Sequence, residues 1–108
     1  MPADPIDRLR LAASIDDPNA TIRLAGDVDL GTIGRVTGIA HGLLAAGAST
    51  LVFDLAEVRF MDSTGLSLLA ELAQRTAERD GKVIVRNPND LVVRLLELSG
   101  LIDLVSIA

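Results

Sequence analysis

The chain has no cysteine, tryptophan or tyrosine, and only one histidine and one lysine in 108 residues. Without cysteine there is no disulfide, no thiolate nucleophile and no thiolate metal site. His41 alone cannot supply the histidine pair of a zinc site, and it leaves no simple Ser-His engine. With net charge −5 and no basic run, the surface repels a phosphate backbone on average, and no tyrosine or tryptophan is there to stack on bases. Nucleic acid is therefore not expected as a ligand. The longest weakly polar stretch, Val36 to Ala48, is too short to span a bilayer and contains His41. The polar start, MPADPIDRLR, resembles neither a signal nor a transit peptide. A soluble cytoplasmic protein without direct membrane insertion is the expectation.

What is present is aliphatic. Residues of the apolar class make up 49% of the chain, yet Phe53 and Phe60 are the only aromatics, so the core must rest on Leu, Ile, Val and Ala. Length and composition fit one globular domain and exclude disorder. Residues 1–8, with two prolines and little apolar weight, are expected to be a flexible tail, and residues 9–108 a single domain.

Alternation of Leu9, Leu11, Ala13 and Ile15 predicts a strand. Turn residues Asp16 to Asn19 and a second alternating run from Ala20 to Ala25 complete a hairpin. Gly26-Asp27-Val28-Asp29 breaks the pattern before a helix with Ile33, Val36, Thr37, Ala40, Leu43, Leu44 and Gly47 on its core face. Thr50 to Leu55 has the continuous apolar character of a buried strand. A second helix should turn Leu66, Leu69, Ala70, Ala73 and Ala77 inward, and stop at Asp80-Gly81. Lys82 to Arg86 reads as a strand. Asn87-Pro88 is predicted to cap and open a third helix, which ends at Ser99-Gly100. The order β-β-α-β-α-β-α predicts an α/β domain, a mixed sheet with amphipathic helices packed on it. The apolar tail from Leu101 to Ile107 suits either a strand or a short helix.

The segment Phe60-Met61-Asp62-Ser63-Thr64-Gly65-Leu66 is the most informative. It delivers two hydroxyls to a helix N-terminus just after a buried strand, where free N–H groups and the helix dipole favour an anion. A phosphate on either hydroxyl would find backbone donors there, and would face Asp62 and Asp29. Asp, Ser and Thr are also the ordinary caps of any helix, so capping and regulation both stand as readings.

These residues resemble the phosphorylation motif of STAS-domain anti-sigma-factor antagonists. Gly26-Asp27-Val28-Asp29 with Thr32, Asn87-Pro88, and Leu98-Ser99-Gly100-Leu101 extend the likeness over residues 9 to 107. The resemblance implies a partner-switching protein. An anti-sigma factor that is also an ATP-using serine kinase binds the unmodified domain and phosphorylates Ser63. The modified form releases the kinase, and a phosphatase resets it. Thr64 is the weaker acceptor, and Asp29, Asp62, Thr64, Gly65 and Leu68 form the switch neighbourhood. The domain itself would have no catalytic residue, cofactor or metal. Resemblance and acidic charge together favour a monomer.

Other readings set against this one are specific. A STAS subunit docking on a membrane transporter or signalling scaffold would keep the fold and change the task. Asp54, Asp62 and Asp29 together would suit magnesium-dependent hydrolysis, but no base or positive charge accompanies them. A receiver with Asp54 as phosphoacceptor is rejected, since Lys82 starts its strand and no lysine follows. Asp27 is shorter than the Glu often found there in the family. Gly34, Gly38 and Gly42 fall opposite the core face of the first helix, either as a tolerated weak surface or as a bare ridge for a partner. Leu68 is expected outside the core arc of its helix, as a lone exposed leucine or a docking residue. His41 is expected to be solvated, and Arg8, Arg10 and Arg23 to form the polar face of the hairpin.

Overall fold

In a computed structural model, residues 8–108 are described. The predicted tail lies outside the described residues except for Arg8. Five strands form one sheet in the order β1-β2-β3-β4-β5: β1 Leu9–Asp16, β2 Asn19–Val28, β3 Thr50–Met61, β4 Val83–Arg86 and β5 Ser106–Ile107. Only β1 and β2 are antiparallel, and every later neighbour is parallel. The crossovers are α1 Ile33–Ala45, α2 Ser63–Ala77 and α3 Asp90–Ser99.

Because strand order follows chain order, right-handed crossovers all place their helices on the same side of the sheet. The packing agrees. Ile22, Leu24, Leu51, Phe53, Val83 and Val85 share a face by alternation and join Val36, Ala40, Leu44, Leu69, Leu72, Val92 and Leu96 in one buried cluster. Thr21, Arg23, Val52, Asp54, Ile84 and Arg86 turn to the other face, by the same registers. The parallel strands therefore send the β2–α1, β3–α2 and β4–α3 loops to one end, where α/β sheets commonly carry their sites.

Several boundaries differ from the sequence reading. β2 runs on through Gly26-Asp27-Val28, accommodated by register shifts against β3. Gly26 is required there: its φ is +119°, and a Cβ would stand 2.0 Å from the Arg8 carbonyl oxygen. β3 continues past Leu55 to Met61, so Asp54 sits inside a long strand. Gly47 lies beyond α1, exposed, and Asp80 rather than Gly81 takes the left-handed conformation after α2. Asn87 is also left-handed, and the cap of α3 is Asn89, whose side chain accepts from the Val92 N–H at 2.8 Å. The apolar tail forms both a 3₁₀ turn, Leu101–Asp103, and β5.

The largest correction concerns α2. Its buried residues are Gly65, Leu68, Leu69, Leu72, Ala73 and Thr76, whereas Ala77 is exposed. The helix touches β3 and β4 below and α1 and α3 on its flanks. A helix between two others buries a wide arc, and the long Leu68 and Leu72 gain more from burial than Ala77. Leu68 keeps 7% of its surface exposed, so the sequence-based picture of an exposed docking leucine is overturned.

Candidate functional site

Asp62 organises the loop end of the sheet. Its backbone N–H donates to the Val28 carbonyl at 3.0 Å, which joins the ends of β2 and β3. As N-cap of α2 it accepts at Oδ1 from the Thr64 N–H (2.9 Å) and from the Thr64 hydroxyl. Its other oxygen accepts from the Leu30 N–H at 3.2 Å. One carboxylate thereby ties the β2–α1 loop to the start of α2. These donors, led by the Thr64 hydroxyl, favour the ionised form and hold the Asp62 carboxyl below its ordinary value, although desolvation opposes them.

The sequence reading expected those amides to be open for a phosphate. Two of them are already engaged by Asp62, the Thr64 N–H by its carboxylate and the Gly65 N–H by its carbonyl. A phosphate on the neighbouring hydroxyl would meet a fixed negative charge more than free donors.

Ser63 opens α2 and is exposed, and its hydroxyl engages none of the described residues. Thr64 differs: its hydroxyl is committed to Asp62. The structure thus separates the two candidate acceptors by availability. Ser63, Ser67, Ile33, Thr37, His41 and Glu71 line an open groove of about 460 Å³ between α1 and α2, with Leu68 below. His41 Nε2 lies 3.0 Å from Glu71 Oε1 across it, so His41 is half-exposed yet partnered. Gly65 lets α2 seat closely at this point. A Cβ there would come 2.7 Å from Met61 Cγ and 3.1 Å from Val28 Cγ1.

Asp29 is brought to the same end but is not a free carboxylate. Arg8 grips it through two hydrogen bonds of 2.9 and 2.8 Å, and the Gly31 N–H donates to its Oδ1 at 2.9 Å. Buried Thr32 staples the loop, accepting from the Asp29 N–H at 3.0 Å and donating to the Asp27 carbonyl at 2.8 Å. The grip of Arg8 on Asp29 was not legible in the sequence, because 21 residues separate them. Leu30 was also missed. It is 78% exposed, one residue from that ion pair and bonded through its amide to Asp62.

Asp54 stands elsewhere, on the helix-free face. It pairs with Arg23 at 3.6 Å and accepts from the Ala56 N–H at 3.1 Å. The three carboxylates weighed for magnesium are therefore not brought together, and no metal-competent cluster of three His, Cys, Asp or Glu exists among the described residues. No helix among them is long and apolar enough to cross a membrane. Gly34, Gly38 and Gly42 lie exposed along α1, with nothing within 4 Å of where a Cβ would stand.

The cap makes a prediction for acid pH. Because the folded pKa of Asp62 is depressed, its contribution to stability is complete above the ordinary value of 3.8 and is lost as pH falls below that toward the folded pKa. Asp62→Ala should cost about 1 kcal/mol at neutral pH. Thermal melts of both proteins from pH 7 down to the acid limit of folding should show that gap closing below pH 3.8. A gap that stays constant would remove Asp62 as the ionised clamp.

The structure is thus a one-layer sheet with helices on a single face, carrying an exposed serine beside an ionised cap at its loop end. The chain matches the STAS domain over residues 10–108 and belongs to that family. It is 29% identical over 92 residues to the anti-sigma-B factor antagonist of Listeria monocytogenes, covering 85% of this chain and 81% of that protein. Its fold superposes on an anti-sigma factor antagonist from Mycobacterium paratuberculosis with TM-score 0.80 at 22% identity, covering 94% and 86% of the two chains. The phosphorylated form of the Bacillus cell fate determinant SpoIIAA gives TM-score 0.75 at 20% identity, covering 92% and 91%.

Proposed function

We propose that this domain is an anti-sigma-factor antagonist that works as a phosphorylation-controlled partner switch. Unmodified, it binds an anti-sigma factor that is also a serine kinase, which frees a sigma factor for transcription. Phosphorylation of Ser63 ends the complex, and a phosphatase restores it. The domain acts in the bacterial cytoplasm by binding and catalyses nothing itself. The observation that carries this reading is the Ser63 hydroxyl, exposed at the head of α2 with no partner among the described residues, beside a carboxylate held in its ionised form. The name borne by the Listeria relative supports it.

The switch follows from charge. A phosphoserine carries about −1.5 to −2 at neutral pH. Placed beside Asp62, with the nearest amides already bonded to that carboxylate, it gains little within the domain. It makes the groove's rim, which already carries Glu71 and adjoins the Asp62 carboxylate, far more negative while leaving the buried cluster untouched. A partner surface complementary to the unmodified rim is then opposed.

Affinity capture from host lysate with Ser63→Ala and Ser63→Asp baits tests the proposal. The Ala bait should retain an ATP-binding serine kinase that the Asp bait loses. If both retain the same proteins, Ser63 serves only to start the helix. Recovery of a membrane transporter or large scaffold on both baits would favour the docking-subunit reading.

A further inference from the structure

The two edges of the sheet are treated differently. β5 is only two residues long, which leaves almost no ladder to extend. β1 is eight residues long, pairs with β2 on one side without a single register shift, and has no strand paired to its other side among the described residues. Its middle, Leu11-Ala12-Ala13-Ser14-Ile15, carries no proline, charge or bulge, the usual guards of an edge. Ile15 is 55% exposed, and Ala12, Ala13 and Ser14 are exposed as well. The Leu9 carbonyl accepts from Arg35 Nη1 at 2.6 Å and so is not spent on β2. By antiparallel alternation, Leu11, Ala13 and Ile15 likewise aim their N–H and C=O groups outward.

Charge along the strand is polarised. Arg8 and Arg10 stand at one end, and Asp16 and Asp17 at the other. Arg10 shares a groove with Arg8, Arg59 and Glu57. Arg8 and Arg59 are paired with Asp29 and Asp27, whereas Arg10 and Asp16 have no ion-pair partner among the described residues. An antiparallel copy of the same strand supplies what both lack.

We infer that β1 is a self-association edge, at which a second copy of this chain adds its own β1 in antiparallel register about a twofold axis at Ala13. In that register Ala13 faces Ala13 of the second copy, Leu11 faces Ile15, and Arg10 faces Asp16. All three pairings place like faces of the strand together, since antiparallel partners directly opposite point to the same side of the sheet. Leu11–Ile15 supplies apolar contact twice, and Arg10–Asp16 supplies opposite charge twice. A parallel arrangement would set basic end on basic end. The result is a continuous ten-stranded sheet with closed twofold symmetry. It departs from the monomer favoured by the acidic composition, and it does not depend on the role of Ser63.

Sedimentation equilibrium on the full chain, up to about 1 mM, tests this. A monomer–dimer equilibrium is expected. Arg10→Asp and Asp16→Arg should each weaken it about tenfold, and the double variant should restore it. The absence of cysteine allows a second measurement. Hydrogen-bonded antiparallel pairs hold Cα atoms about 5.5 Å apart, within reach of a disulfide. Ala13→Cys should oxidise to a covalent dimer, while Ser14→Cys, whose counterpart is two residues out of register, should not. A chain monomeric throughout, a dimer indifferent to the single reversals, or a double variant that fails to recover would each overturn the proposal.

Discussion

Phosphorylation of Ser63 is expected to weaken binding to the captured kinase by about a hundredfold, equivalent to about 2.7 kcal/mol. The effect should be large because the charged group beside Ser63 is the Asp62 carboxylate, and no lysine or arginine lines the groove among the described residues. The lowered pKa of Asp62 keeps its carboxylate ionised throughout the neutral range, and the Leu30 and Thr64 amides stay bonded to it. The phosphate therefore projects into the interface, where it must lose water opposite whatever fitted the neutral hydroxyl. Titration calorimetry with phosphorylated, unmodified and Ser63→Ala protein should give weak, tight and tight binding respectively. The melting temperature should hardly move among the three, since Ser63 is exposed and its hydroxyl has no partner among the described residues. Mass spectrometry after kinase treatment should find phosphate on Ser63 and not on Thr64, whose hydroxyl is held by Asp62. Equal affinity for the phosphorylated and unmodified forms would sink the switch.

Gly81→Ala is expected to be the most destabilising small substitution, costing about 3 kcal/mol and lowering the melting temperature by more than about 10 °C. The cause is close approach. A Cβ at residue 81 would lie 1.7 Å from the Ser49 carbonyl oxygen and 2.5 Å from its carbon, both backbone atoms. The Leu51 N–H bonds to the Lys82 carbonyl at 3.0 Å just beyond, so relief of the clash would pull β3 and β4 apart at the point where they join. Gly38→Ala provides the contrast. Its Cβ would meet nothing within 4 Å on an exposed turn of α1, so it should stabilise by up to about 1 kcal/mol. Calorimetric melts of the two variants decide the matter. A Gly81→Ala protein as stable as the parent would mean that the backbone can separate there freely.

Side-chain chemistry and spacing made much of the site legible. Asp62 as cap, Ser63 as the first residue of α2, and the Gly26-to-Thr32 segment beside them all follow from short-range sequence pattern. What failed were questions of which face a residue presents. Leu68 looked peripheral on an isolated helical wheel, because the wheel contains no neighbouring helices; it lies buried beside Ile33 and Val36 of α1. Gly26 and Gly81 looked like turn residues, yet each is fixed by a carbonyl far away in the chain, that of Arg8 just before β1 and that of Ser49 just before β3. The Thr64 amide expected to be open at the start of α2 is taken by the Asp62 carboxylate, and a sequence gives no account of which acceptor reaches an amide first.

The order of elements through the third helix and the aliphatic core were determined by the sequence itself, and depend on local propensity, period and residue type. The choice of Ser63 over Thr64 as candidate switch rested there on the family resemblance. Tertiary structure alone decided that Arg8 would neutralise Asp29, that Thr64 would be occupied, and that, among the described residues, the Ser63 hydroxyl and the outer edge of β1 would have no partner. Each of these depends on atoms brought together from distant parts of the chain. Their geometry is set by the register of the sheet and the close packing of helices upon it, which act on the whole domain at once.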